Sequence, residues 1–142
     1  MGVYLILILT MKIIRNKYIP FGDFDVMNIL GLLFAREGAV LDDEIISHEA
    51  IHSEQQEEIV CASALVAIAL CNFCASWWYL LIVLAMPIAI YIIAWLVALI
   101  LPPYDSAYKD SPFEREAYAN QHNPMYLATR PPFAWWKYIL KR

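Results

Sequence analysis

Residues 59–104 read IVCASALVAIALCNFCASWWYLLIVLAMPIAIYIIAWLVALILPPY, a run of 46 residues without one Asp, Glu, Lys or Arg. A helix that crosses a membrane needs about 20 mainly apolar residues, so this run is long enough for two spans and a tight turn. The polar side chains of Asn72 and Ser76 place the turn in residues 71–76, and aromatic residues typical of a membrane–water boundary follow directly. We therefore predict a two-helix transmembrane hairpin over residues 59–101.

The rest of the composition also indicates a membrane protein. The chain has 142 residues, of which 61% are hydrophobic and 17% charged, whereas about 25% are charged in an ordinary soluble domain. This length fits a single domain, which we divide into an N-terminal part (residues 1–58), the hairpin (59–101) and a C-terminal part (102–142). The formal net charge of −4 leaves no basic surface for phosphates, which excludes nucleic acid as a partner and leaves the lipid bilayer as the expected one.

All ten Lys and Arg residues lie outside the uncharged run. An even number of spans puts both flanks on one side of the membrane, and the positive-inside rule places that side in the cytoplasm. We therefore expect an integral membrane protein with two spans and with both termini in the cytoplasm. The C-terminal segment, residues 132–142, mixes aromatic and basic side chains, which predicts that it lies in the cytoplasmic membrane interface.

The first part of the chain is predicted to contain short strands and the start of a long helix. Residues 4–14 and 26–36 are rich in β-branched and other apolar side chains, which favours strands. The strand that ends at Arg36 is either an exposed edge strand, along which an extended substrate can pair, or an ordinary core strand. Acidic residues 42–44 mark a helix N-terminus, and no Gly or Pro follows before the hairpin, so one helix can run from about Asp43 into the first span.

The three cysteines, Cys61, Cys71 and Cys74, all fall within the uncharged run. An odd number of cysteines in apolar surroundings argues against a disulfide framework. We interpret them as small apolar residues buried in the bilayer region.

The sequence His48-Glu49-Ala50-Ile51-His52 lies on the predicted cytoplasmic part of the long helix. Two histidines four residues apart project from one face of a helix, close enough for both imidazoles to reach the same metal ion. The Glu49 carboxylate points to the adjacent side, where it can act as general base and acid. This is the HExxH arrangement of zinc peptidases, and it predicts that His48 and His52 bind Zn²⁺.

A catalytic zinc needs a third protein ligand, and the chain offers one after the hairpin. Ser111 is a good helix N-cap and Pro112 fits the first helical turn, so a short helix carrying Glu114 and Glu116 is predicted here. Two spans return this helix to the same side of the membrane as His48. A single span would place Glu114 and His48 in opposite compartments, where they could not share a site.

HExxH followed by Glu-x-x-Ala on a later helix resembles the gluzincins, zinc peptidases whose metal is held by two His and one Glu. Two groups among them are most similar: the membrane peptidases of the CAAX-prenyl-endopeptidase type and the repressor-cleaving ImmA/IrrE type. The motif falls on Glu114 to Ala117 of this chain, so the resemblance implies that Glu114 is the third zinc ligand. The Asp or Asn that follows the Ala in these groups is Tyr118 here. A shifted motif from Glu116 to Asn120 restores an amide at that place and makes Glu116 the alternative ligand.

The resemblance also implies a fold. We expect an α+β membrane protein, in which a minimal zincin-like unit of short N-terminal strands, HExxH helix and Glu114 helix is interrupted by the transmembrane hairpin. The arrangement is similar to that of small bacterial membrane proteins that carry these motifs, which implies a bacterial inner membrane as the location.

Other polar residues near the motifs are candidates for supporting roles. Tyr118, Asn120 and His122 are candidates for contacts with the transition state or with the metal ligands. Gln55 and Gln56 are interpreted as part of a solvated helix face, with a hydrogen bond near the site as the alternative.

Together these observations predict a membrane-anchored zinc metallopeptidase that hydrolyses peptide bonds near the cytoplasmic membrane surface. His52 lies seven residues before Ile59, so the metal would sit about 10 Å above the apolar boundary, and a membrane-proximal peptide or protein is the expected substrate. The alternative is a catalytically inactive metal-binding membrane scaffold that binds partners, because 142 residues leave little protein for a substrate cleft. A third interpretation is a homo-oligomer, or a complex with a partner that completes the cleft.

Overall fold

The computed structural model describes residues 11–20, 24–100 and 109–139, which form an α+β structure. Residues 4–10 of the first predicted strand lie outside the described residues. The elements are strands β1 (Lys12–Asn16), β2 (Val26–Ile29) and β3 (Leu32–Arg36), helices α1 (Asp43–Cys74), α2 (Ile82–Ile100), α3 (Pro112–Asn120) and α4 (Tyr126–Thr129), and two 3-10 helices (Trp77–Leu81 and Ala134–Tyr138).

Strands β2 and β3 form a tight hairpin. They are antiparallel, with Val26 opposite Ala35, and Leu30 and Gly31 join them with φ angles of 51° and 77°. Two consecutive positive φ angles are those of a type I′ turn, whose twist matches that of the strands on either side. The prediction of one strand over residues 26–36 is therefore wrong, because this turn divides the segment in two.

Strand β3 lies in the centre of a three-stranded sheet with the order β1-β3-β2. β1 runs parallel to it, with Lys12 opposite Leu32, and β2 pairs along its other side. The interpretation of the strand ending at Arg36 as an exposed edge is therefore wrong, because both of its hydrogen-bonding sides are occupied. Leu33 is fully buried and packs with Ala50 of α1, so the sheet rests on the helix that carries the HExxH motif.

Helix α1 is one uninterrupted helix of 32 residues, which confirms the prediction of a helix from about Asp43 into the apolar run. The Asp42 side chain caps its N-terminus by accepting a hydrogen bond from the Ile45 backbone N–H at 2.8 Å. At 1.5 Å per residue, α1 is about 48 Å long, enough to carry the histidines and an apolar span in series. It ends at Cys74, and the next residue, Ala75, has a left-handed φ of 49°, so residues 71–74 of the predicted turn are helical instead.

Among the described residues, two helices are long and apolar enough to cross a membrane, by length and composition alone. They are Asp43–Cys74 and Trp77–Ala94, and only 17% and 6% of their most apolar windows are buried inside the protein. Pro87 lies inside α2 without ending it, and residue 101, where the second span was predicted to end, lies outside the described part of the chain. The apolar side chains of both helices therefore point mainly outward, as in the predicted hairpin.

Helix α3 begins as the sequence predicts, with Ser111 as its N-cap and a proline in its first turn. The buried Phe113 ring packs between two others, with ring centroids 4.4 Å from Tyr91 of α2 and 4.8 Å from Trp135 of the last 3-10 helix. Ile59 of α1 completes this aromatic cluster. The cluster holds the first turn of α3 beside α1, with Tyr91 of α2 and Trp135 on either side of the Phe113 ring.

The C-terminal segment is described as far as residue 139. Trp135 is buried, whereas the neighbouring Trp136 is exposed. The segment is therefore anchored to α3 and presents an aromatic side chain outward; its predicted position in a membrane interface stays a prediction.

All three cysteines are free, which confirms the prediction of no disulfide. Cys61 and Cys74 are exposed on α1 and Cys71 is partly exposed, so the surroundings predicted for them would have to be lipid rather than protein.

Candidate metal centre

Two histidines of α1 and one glutamate of α3 converge between the two helices. His48 Nε2 and His52 Nε2 are 3.1 Å apart. The Glu114 carboxylate lies against both rings, with 3.2 Å from Oε2 to His48 Nε2 and 3.2 Å from Oε1 to His52 Nε2. Each residue offers one ligand atom, and these atoms all lie within 4.8 Å of one another, so the cluster could hold a metal ion.

The local sequence explains how these side chains meet. A spacing of four residues stacks His48 and His52 on one face of α1. Glu114 is the third residue of α3, and its backbone N–H donates a hydrogen bond to the Ser111 hydroxyl at 3.3 Å, which fixes the first turn. Since Phe113 is held in the aromatic cluster, the rotation of α3 about its own axis is set. His52 and Glu114 are only 7% and 6% exposed, so the cluster is shielded from solvent.

A glutamine contacts the outer nitrogen of His52. Gln55 Oε1 lies 2.8 Å from His52 Nδ1, while Gln55 Nε2 donates to Glu116 Oε2 at 2.9 Å and to the Phe113 carbonyl at 3.1 Å. The Gln55 side chain is fully buried. The interpretation of Gln55 as part of a solvated helix face is therefore wrong, because α3 covers this side of α1.

A second glutamine contacts the outer nitrogen of His48 in the same way. Gln121 Oε1 lies 2.9 Å from His48 Nδ1, and Gln121 Nε2 donates to the Glu44 carboxylate. The gluzincins that the two motifs resemble have Asp or Asn where this chain has Tyr118. Here the Tyr118 ring packs edge-on against the His48 ring, with centroids 4.7 Å apart, and the amide comes from Gln121, one turn further along the chain.

The outer contacts leave both Nε2 atoms facing the Glu114 carboxylate. Since each glutamine oxygen accepts from an Nδ1–H, the two Nε2 atoms and the carboxylate oxygens all carry lone pairs toward one point. Such a set of acceptors needs a metal ion or a proton among them. Two imidazoles and one carboxylate are a ligand set that suits Zn²⁺ and leaves one tetrahedral position open.

The electrostatics of the cluster show the same need for positive charge. Burial by itself lowers the pKa of His52, but the hydrogen bond and the charge of Glu114 outweigh it and raise the pKa to about 9. Burial raises the pKa of Glu49, although the nearby His52 and His48 act in the opposite direction. Glu49 is thus close enough to feel the charges of the cluster without being one of its three ligand residues.

The alternative ligand, Glu116, lies elsewhere in the structure. It is fully buried and accepts hydrogen bonds from Arg130 Nε at 2.6 Å and from the Tyr126 hydroxyl at 2.8 Å. Arg130 also holds Glu58 of α1 through two bonds, of 2.5 and 3.1 Å. The geometry therefore places Glu114, not Glu116, beside the histidines.

Replacing Arg130 with methionine is expected to lower the free energy of unfolding by about 3–5 kcal/mol, because the buried Glu116 carboxylate and the largely buried Glu58 carboxylate would lose their shared cation. The Arg130 side chain is 3% exposed, and the side chains of Glu116 and Glu58 are 0% and 13% exposed. Unfolding of the detergent-solubilised chain, followed by tryptophan fluorescence, measures the change. Arg115→Met is the control, since Arg115 forms a more exposed pair with Asp110 whose loss should cost under about 1 kcal/mol. Equal losses in the two variants would contradict the assignment.

The remaining sequence candidates lie around the cluster. Asn120 Nδ2 donates to the Glu116 carbonyl at 2.7 Å and to the Tyr138 hydroxyl at 3.0 Å, and so links α3 to the C-terminal segment. His122 is exposed, and its Nδ1 lies 3.3 Å from Glu44 Oε2 rather than at the three ligand atoms. Gln56 holds the β2–β3 hairpin by accepting from the Leu30 N–H at 2.5 Å.

Comparison with known proteins adds no assignment to this geometry. No protein-family model matches the chain, and no match was found among curated proteins or among solved structures. The likeness of the site to the gluzincins therefore rests on the two short motifs alone.

Proposed function

We propose that this chain is a membrane-anchored, zinc-dependent metallopeptidase that hydrolyses peptide bonds near the cytoplasmic membrane surface. The observation that carries the proposal is the convergence of His48 Nε2, His52 Nε2 and the Glu114 carboxylate, from two separate helices, with Glu49 beside them. The resemblance of the HExxH and Glu-x-x-Ala motifs to those of the gluzincins implies the same three ligands and the same general base.

Each of these residues has a separate role in the proposed reaction. His48, His52 and Glu114 would hold Zn²⁺, which when bound lowers the pKa of water and polarises a peptide carbonyl. Glu49 would accept the proton of the attacking water and deliver it to the leaving amine. The Tyr118 ring, which packs against His48, places a phenol near the site that could donate a hydrogen bond to the developing oxyanion.

The proposed membrane position follows from the continuity of α1. The histidines and the apolar run lie on one helix, so the site would be held at a fixed height of about 10 Å above the membrane boundary. The contact between Glu114 and His48 requires both to be on one side, which two crossings provide. The distribution of Lys and Arg favours the cytoplasmic side. A bacterial inner membrane and a membrane-proximal polypeptide substrate belong to the same proposal.

Removal and return of the metal test the proposal. The full chain would be purified in detergent, stripped with a chelator, and incubated with a mixed library of fluorescence-quenched peptides before and after addition of Zn²⁺. We expect hydrolysis only with zinc restored, because the three ligands alone supply no Lewis acid. A chain that binds zinc tightly but cleaves no peptide, alone or in liposomes, would instead favour the metal-binding scaffold. Cleavage that is unaffected by the chelator would contradict the metal mechanism.

A further inference from the structure

We propose that Gln55 is a positioning residue for the metal centre, and that Glu116 and Arg130 hold it in its working orientation. This inference rests on the proposed zinc site and names the residues that tune it. Gln55 would keep the hydrogen of the neutral His52 ring on Nδ1, so that this ring presents its Nε2 lone pair to the metal. The residues that shape the metal centre would then run from Gln55 on α1 through Glu116 on α3 to Arg130 near the C-terminus.

The hydrogen bonds of Gln55 determine which way its amide points. The Phe113 carbonyl can only accept a hydrogen bond, and the Glu116 carboxylate, paired with Arg130, is likewise an acceptor. Both lie within 3.1 Å of Gln55 Nε2, so this atom must be the NH₂ group. The amide oxygen then faces His52 Nδ1, which must carry the hydrogen of the neutral ring.

Burial prevents water from replacing Gln55 as the hydrogen-bond partner of His52. Gln55 and Glu116 are both fully buried, so water is not at hand to accept the His52 Nδ1–H if the amide is removed. The charge of Glu116 also polarises the Gln55 amide and strengthens its oxygen as an acceptor. Partners of this kind hold the ring of a metal-binding histidine in place and raise its basicity.

The second glutamine provides a comparison within the same site. Gln121 and Glu44 make the matching contacts to His48, but the Glu44 side chain is 47% exposed. Water can therefore take over part of the role of Gln121. We expect zinc affinity to depend more strongly on Gln55 than on Gln121.

Zinc affinity of four single variants tests the order of these effects. Gln55→Leu is expected to bind Zn²⁺ about 10–100-fold more weakly than the wild type, in competition with a chromophoric chelator in detergent, and Gln121→Leu should lose less. Gln56→Leu is the matched control, since the neighbouring Gln56 bonds the Leu30 N–H and the Asn28 carbonyl of the β2–β3 hairpin, is not one of the three ligand residues, and should keep wild-type affinity. Glu116→Gln should lose affinity because it weakens the bond that orients Gln55. Equal affinity of the Gln55→Leu variant and the wild type would overturn the proposal.

An exchange of the two side chains separates positioning from general damage. In the double variant Gln55→Glu with Glu116→Gln, the new carboxylate accepts from His52 Nδ1 and the new amide donates to it, while the amide oxygen still accepts from Arg130. The double variant is therefore expected to bind zinc more tightly than the Gln55→Glu single variant, which shares its loss of the hydrogen bond to the Phe113 carbonyl. A double variant that binds zinc no better than Gln55→Glu would overturn the positioning role.

The ring nitrogens of His52 give a readout that folding alone would not change. In ¹⁵N-histidine-labelled, metal-free protein, held at a pH high enough for the His52 ring to be neutral, the His52 resonances, assigned by their loss in His52→Ala, should show the hydrogen on Nδ1. In Gln55→Leu this preference should be lost, and an unchanged tautomer would overturn the proposal. Because this measurement needs no metal, it stands apart from the proposed function, which fails if the wild-type chain binds no zinc.

Discussion

Replacing Glu49 with glutamine is expected to reduce peptide hydrolysis by about 10²–10⁴-fold and to leave the zinc content of the chain unchanged. The amide has nearly the size and shape of the carboxylate, but it cannot accept the proton of the attacking water. Zinc should stay bound because the three ligand atoms come from His48, His52 and Glu114. Initial rates on the quenched-peptide library, together with zinc per chain by elemental analysis, measure both effects.

The matched control for this variant is Glu57→Gln on the same helix. Glu57 is exposed and is not one of the cluster's ligand residues, so its rate should equal that of the wild type. Full activity in the Glu49→Gln variant would contradict its role as general base. Loss of zinc from that variant would instead make Glu49 a ligand.

Replacing Glu114 with alanine is expected to weaken zinc binding by more than about 100-fold, a larger effect than that of a residue outside the ligand set. Glu114 touches both imidazoles at 3.2 Å, so its removal leaves a two-histidine site. Zinc per chain after purification, followed by titration of the stripped protein, measures the loss. Hydrolysis should disappear with the metal.

The Glu116→Gln variant is the comparison for Glu114→Ala, because Glu116 is the alternative third ligand. Glu116→Gln should still hold zinc, although more weakly than the wild type, because Glu116 bonds Arg130, Tyr126 and Gln55 rather than a histidine. Wild-type affinity in the Glu114→Ala variant, with zinc lost from Glu116→Gln, would reverse the two assignments and favour the shifted motif.

The parts of the structure that depend on local sequence could be predicted. The acidic cap at Asp42 and the lack of a helix breaker predict the long helix α1. Ser111 and the proline that follows it predict the start of α3. The two histidines were predictable as a pair because the helical period alone places them on one face. Each of these features needs only residues that are close along the chain.

The parts that depend on distant contacts could not be predicted in the same way. Leu30 adopts a positive φ in the hairpin turn, which is uncommon for a leucine, and so residues 26–36 resembled one strand. Gln55 stands among glutamates in the sequence, which is typical of an exposed helix face, but α3 covers it in the structure. The pairing of Arg130 with Glu58 joins residues 72 positions apart, and no spacing rule indicates it.

Gln121 supplies the hydrogen-bond partner for His48 that the motif does not supply in this chain. Tyr118 stands where an Asp or Asn was expected, which left His48 without an obvious partner. The next turn of the chain supplies an amide at 2.9 Å instead. A polar amide three to four residues beyond the motif, on the same helical face, is the only local feature that could have suggested it.

The most direct test of the central claim is zinc K-edge X-ray absorption on the full chain, loaded with zinc in detergent. The site of His48, His52 and Glu114 predicts two imidazole nitrogens at about 2.0–2.1 Å, carboxylate or water oxygen at about 2.0–2.2 Å, and no sulfur. Scattering from sulfur at about 2.3 Å, which would point to the free cysteines, or from fewer than two imidazoles, would contradict the site.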